Sequence, residues 1–187
     1  MGKRSCHVDG RVIEYTSDTL ACASPRFRSR TIDWKTLLNN GRTYVLDAGR
    51  FKGEDIAPYL EKIENGMREM GYSNGSVILL HTAAWEAFHN VQRHTCGCKA
   101  GCPVEMHVCL SPEFSFVSIR GVGRDFNIER AVESARNATT EKGLLKTGGR
   151  GTHIMSKCDF LFGMKSRTKK GFFTETMVGQ FPQEDKL

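Results

Sequence analysis

Five apolar residues, Ile56, Leu60, Ile63, Met67 and Met70, recur at intervals of four, three, four and three, the spacing of one face of an α-helix. Compact apolar runs flank them on both sides. Thr43-Tyr44-Val45-Leu46-Asp47 reads as a buried strand closed by Asp47-Ala48-Gly49, and Ser76-Val77-Ile78-Leu79-Leu80-His81 reads as a second short strand. Strand, helix, strand at this spacing is a βαβ unit, whose strands are parallel neighbours joined by a right-handed crossover. Pro58 suits the first turn of the helix and Gly71 its end. The expected fold class is therefore α/β: a mostly parallel sheet of about four or five strands with flanking helices.

The rest of the chain is read around that unit. Residues 1–30 mix charge, serine and Pro25 with little periodicity and are expected to form an extended basic arm. Residues 31–181 would form a single domain, and 182–187 a frayed tail. Within the domain, a short helix is expected over 31–38, and another, Ala83 to Val91, after the second strand. Phe114 to Arg120 alternates and predicts a strand with one wet face. Ile128, Ala131, Val132 and Ala135 mark a further helix. Cys158 to Phe162 and Gly171 to Val178 predict two more strands, with Lys165 to Lys170 as the tip of a basic carboxyl-terminal hairpin.

Between residues 94 and 109 the chain gathers four of its seven cysteines and two of its six histidines into sixteen positions. Thiolate and imidazole are preferred ligands of zinc, and Gly97, Gly101 and Pro103 let the backbone turn between them. The expected cofactor is zinc, held in a knuckle inserted into the sheet by four among Cys96, Cys98, Cys102, His107 and Cys109, with His94 a sixth competitor. The spacing reproduces no standard finger. Unligated thiols or disulfides are the bland alternatives, and the odd cysteine count with tight clustering favours a reducing, intracellular compartment, cytoplasmic or nuclear.

Charge points to a partner. The formal net charge is +6, but residues 142–170 alone carry +7, from Lys142, Lys146, Arg150, Lys157, Lys165, Arg167, Lys169 and Lys170 against Asp159. Residues 1–30 add +3 and the remainder sums to −4. A segregated positive field suits a surface that meets a polyanion, although a merely solvated face has the same composition. Phe160, Phe162, Phe172 and Phe173 lie beside these cations, as rings that stack on bases do, unless they belong to the core. The expected function is a zinc-stabilised basic protein that binds nucleic acid, RNA or single strands above duplex DNA, with Arg26, Arg28 and Arg30 as auxiliary contacts. No apolar run is long enough to span a bilayer. Gly2 follows Met1, but Cys6 stands where a myristoylation signal wants serine or threonine.

Two further readings compete. Asp47 and His81 would sit at the carboxyl ends of the two parallel strands, where α/β sheets bind ligands. Tyr44-Val45-Leu46-Asp47 faintly resembles the first strand of PIN-like nucleases over the roughly forty residues to His81. That resemblance implies a metal-assisted hydrolase of phosphodiesters or nucleotides, although no second acidic cluster follows. Alternatively Asp47 caps a turn and His81 is a satisfied histidine. The last reading is a structural subunit of a nucleic-acid-containing assembly.

Overall fold

A computed structural model describes residues 4–8, 11–15, 22–47, 53–97, 101–123, 150–168 and 171–182. Strands β1 (Arg4–Val8) and β2 (Arg11–Tyr15) pair as an antiparallel hairpin. Then come β3 (Cys22–Ala23), α1 (Pro25–Arg28), α2 (Trp34–Asn40), β4 (Arg42–Asp47), α3 (Gly53–Glu69) and α4 (Asn74–Asn90). A π-helical turn, Val91–Thr95, extends α4. The chain continues through β5 (Pro103–Cys109), β6 (Ser115–Gly123), α5 (Arg150–Met155), β7 (Phe160–Thr168) and β8 (Gly171–Gln180).

Six of these strands form one sheet in the order β3-β7-β8-β6-β5-β4, and every neighbouring pair is antiparallel. This corrects the expected mostly parallel sheet. The misreading starts at Ser76 to His81, which is helical. Ser73 caps α4, its Oγ accepting from the Ser76 N–H at 3.3 Å. Val77, Leu80, Ala83, Ala84, Ala87 and Phe88 are buried in helical register, while Ile78 is 57% exposed. A four-residue apolar run has no periodicity of its own; the alanines beyond it, good helix formers, decide the outcome. The predicted strand and the predicted helix from Ala83 are thus one helix, and the expected parallel crossover is not present among the described residues.

The other correction concerns residues 94–109. They are not an inserted knuckle: His94 and Thr95 end the π-helical turn, and Pro103 to Cys109 is β5, inside the sheet between β4 and β6.

Strands β4, β6 and β8, and helices α2 and α3, fall close to where the periodicity predicts them, while β7 runs past the expected Cys158 to Phe162 and takes Lys165 to Thr168, expected at the hairpin tip, into the strand. Three details differ. β4 is an edge strand with Val45 70% exposed, not a buried one. β6 is dry on both faces, Phe116, Val117, Ser118 and Ile119 all being fully buried. Pro58 is the sixth residue of α3, past its first turn. The helix predicted at Ile128 to Ala135 and the tail beyond Pro182 lie outside the described residues.

Alternation splits the core into two layers. On one face Leu46, Val104, Met106, Val108, Val117, Ile119, Leu161 and Val178 pack against the apolar stripes of α3 and α4, including Ile56, Leu60, Ile63, Met67, Leu80 and Phe88. On the other, Cys109, Phe116, Phe160, Phe162 and Met177 pack with Leu37, Phe114 and Phe181, and Phe27 and Ile32 lie against them.

Candidate nucleic-acid interface

Register fixes what each end of the sheet contains. The pairs Asp47↔Pro103, Val104↔Gly121, Gly123↔Phe172 and Thr168↔Gly171 place the end of β4, the start of β5, the end of β6 and the β7–β8 connection together. The carboxyl-terminal end of α4 arrives there too: a Cβ added to Gly123 would lie 2.2 Å from the Thr95 carbonyl oxygen. Thr95 Oγ1 is 3.0 Å from Thr174 Oγ1, and the Thr174 hydroxyl donates to the Gly121 carbonyl at 3.4 Å.

Among the basic residues singled out in the sequence, Lys165 and Arg167 occupy alternate positions near this end, opposite Thr174 and Phe172 on β8. Lys169 and Lys170 connect the paired residues Thr168 and Gly171 but lie outside the described residues, as do Lys142 and Lys146. Arg150 opens α5. Lys157 is exposed but precedes the start of β7, at the opposite end of the sheet.

A buried ion pair at this part of the sheet has no local signature in the sequence. Glu175 is 2% exposed, and its Oε1 accepts from Arg120 Nε at 2.9 Å and Ser118 Oγ at 2.5 Å. Arg120 and Glu175 are cross-strand partners on β6 and β8. Fifty-five residues separate them, so only strand pairing brings them together. Their charges cancel locally, so Glu175 does not repel a polyanion that approaches this end of the sheet.

The thiols are dispersed. Cys96 and Cys102 form a disulfide. His107 is buried on β5, its Nδ1 2.9 Å from Thr43 Oγ1. Cys109 is fully buried below α2 and donates to the Leu37 carbonyl at 2.7 Å. Five residues of extended chain from Cys102 to His107 span about 17 Å, and Cys109 is farther still. Among the described residues no three His, Cys, Asp or Glu side chains are placed to share a metal ion. Cys98 lies outside the described residues, and His94 is exposed. Burial pushes the thiol pKa of Cys109 up to about 11 and that of Cys158 up to about 12, so both stay protonated near neutrality.

Asp47 and His81 no longer share a strand-end crevice. Asp47 ends edge strand β4, whereas His81 sits mid-way along α4 with its Nδ1 2.5 Å from Glu64 Oε1 on α3. The parallel strand-end geometry on which the PIN-like resemblance rested is therefore not present among the described residues.

Phe160 and Phe162 are 5% and 2% exposed and belong to the aromatic core, leaving no face for a base. Arg26 and Arg30 are engaged at the opposite end, with their guanidinium carbons 5.1 and 4.8 Å from the Phe181 ring centre. Arg26 also donates to the Pro182 carbonyl. Comparison with known protein families and with curated proteins finds no match for this chain. Among the described residues no helix is long and apolar enough to cross a membrane.

Proposed function

We propose that the protein binds nucleic acid, RNA or single strands in preference to duplex, through the basic end of its sheet. One observation carries the reading. The antiparallel register of β7 and β8 puts Lys165 and Arg167 near one end of the sheet, and the sequence adds Lys169 and Lys170 between the paired residues Thr168 and Gly171, so four of the eight basic residues of 142–170 belong to this hairpin. Phosphates attract such a cluster without regard to base identity. A zinc knuckle forms no part of this reading, because His107 and Cys109 are anchored elsewhere along β5.

The test is binding of a labelled oligouridylate at several salt concentrations. Affinity should fall steeply as salt rises. Converting Lys165, Arg167, Lys169 and Lys170 together to glutamine should flatten the slope of log K against log salt by up to about 3, at ~0.7 per phosphate contact on single strands. Absence of binding at low salt, or a slope unchanged by the quadruple substitution, would refute the proposal. Lys157→Gln serves as the control, since that residue sits at the other end.

A further inference from the structure

We propose that Cys96 and Cys102 are a reversible redox pair whose oxidised form orders the basic end of the sheet and strengthens nucleic-acid binding there; the second half rests on the function just proposed. The pair occupies the junction between the helical layer and the sheet. The Cys96 N–H closes the π-helical turn on the Val91 carbonyl at 2.9 Å, and Cys102 directly precedes β5. Its sulfur lies 3.8 Å from the Val122 carbonyl on β6. The disulfide therefore ties the residue after the π-helical turn to the residue that leads into β5.

A continuous path joins this tie to the basic hairpin. Thr95, the neighbour of Cys96, meets Thr174 through their hydroxyls at 3.0 Å, and Thr174 is the β8 partner of Lys165. On the other side Val122 pairs with Phe173 on β8. Gly97 and Gly101 have φ of 62° and 78°, so the chain link between the two elements begins and ends at residues with wide backbone freedom. Breaking the bond restores conformational freedom that binding must then remove.

Selectivity follows from placement. Two free thiols, Cys109 and Cys158, are fixed in the core, Cys109 by its bond to the Leu37 carbonyl. Cys96 and Cys102 are themselves buried, at 5% and 9% exposure, so reduction requires a local opening, for which the exposed Gly101 beside Cys102 is the natural place.

The reductant required is a dithiol. One of its thiolates attacks a sulfur of the pair, breaking the Cys96–Cys102 bond and forming a mixed disulfide. Its second thiolate then displaces the protein sulfur. Two electrons and two protons reach the cysteines, leaving two thiols on the protein and a disulfide on the reductant. A small disulfide reverses the exchange.

The experiment equilibrates the full chain in mixtures of reduced and oxidised dithiothreitol, traps free thiols by alkylation and locates them by mass spectrometry. Amide exchange at Thr95 and Thr174 and affinity for the oligouridylate are measured on the same samples. Cys96 and Cys102 should become alkylated together in one reversible transition. Oxidation should slow exchange at Thr95 and Thr174 by ~tenfold and tighten RNA binding by ~fivefold. Cys96→Ser with Cys102→Ser should match the reduced wild type and ignore the dithiothreitol ratio.

Several results would overturn the proposal: both cysteines alkylated in the oxidised sample, exchange rates indifferent to the transition, or RNA bound equally well in both states. One zinc per chain holding the reduced thiols through the titration would do the same. If RNA is bound in neither state while the transition and the exchange response persist, the nucleic-acid reading fails and the redox pair stands.

Discussion

Replacing Glu175 with alanine tests the ion pair that locks β6 to β8. Glu175 is 2% exposed and the side chain of Arg120 14%, so the carboxylate is almost dry and the guanidinium only partly wet. The substitution strands Arg120 Nε and the Ser118 hydroxyl, which now donate to the same oxygen. Removing one partner of a buried pair costs about 3–5 kcal/mol, and water reaching Arg120 moderates this toward the lower limit. At about 3 kcal/mol, the melting temperature should drop by about 6–12 °C for a chain of this size. Glu175→Gln keeps an acceptor for Ser118 and should lose only about 1–2 kcal/mol. Arg120→Met with Glu175→Ala removes both charges together and should recover at least about 1 kcal/mol relative to the sum of the single changes. Urea titrations of the four proteins supply the cycle. A shift below about 2 °C for Glu175→Ala, or singles that add without coupling, would show that the carboxylate is solvated and the pair is not a lock.

Three further outcomes are expected. Leu80→Ala should cost about 2–5 kcal/mol while Ile78→Ser stays within about 0.5 kcal/mol, because one residue is fully buried and the other 57% exposed; the reverse ranking in chemical denaturation would restore the strand reading of this segment. Gly123→Ala places a methyl group 2.2 Å from the Thr95 carbonyl, a backbone atom, so a loss of about 1–3 kcal/mol is expected, and a neutral substitution would show that the π-helical turn does not rest on β6. Stability should decline as pH rises from about 9 toward 12. Burial raises Cys109 to about 11, and Cys158 and Tyr72 to about 12, so the unfolded chain releases these protons first. Cys158→Ala should flatten that decline in alkaline unfolding curves; an identical slope would contradict the assigned burial.

Periodicity revealed whatever was local. The stripe from Ile56 to Met70 made α3 unmistakable, and the alternating stretch around Phe116 made β6 a strand. Pairing partners were invisible because a strand does not encode its neighbour's direction. The short run Val77 to Leu80 then tipped the whole topology: read as a strand it implies a parallel sheet, and as the start of α4 it implies two consecutive helices and an antiparallel one. The Ser73 cap and the alanines at 83, 84 and 87 were the available signals. The cysteine cluster misled for a related reason, since a strand separates residues that sequence keeps together. Cys102 and His107 are five positions apart, yet an extended backbone carries them beyond the reach of one ion. The Arg120–Glu175 pair had no local signature.

The two ends of the sheet differ in how completely they are closed. At the end opposite the basic hairpin, the Asp159 carboxylate accepts from Ser24 Oγ at 2.7 Å, Gln180 Nε2 at 2.8 Å and the Phe181 N–H at 3.0 Å. Tyr72 donates to the Ser111 carbonyl at 2.9 Å, and Phe27 stacks on Phe160 with ring centres 4.5 Å apart. Side chains from α1, β7, β8 and the residues leading into α1, α4 and β7 converge there, so a ligand would have to displace hydrogen-bonded groups, at about 1–3 kcal/mol for each one left unpaired. At the hairpin end the described polar groups are the Ser118–Glu175–Arg120 and Thr95–Thr174–Gly121 contacts, in which Glu175 is already neutralised by Arg120, and the sequence supplies cations in excess. Binding a polyanion there requires little more than release of counterions, which is why the reading predicts a steep salt dependence and a modest dependence on base identity.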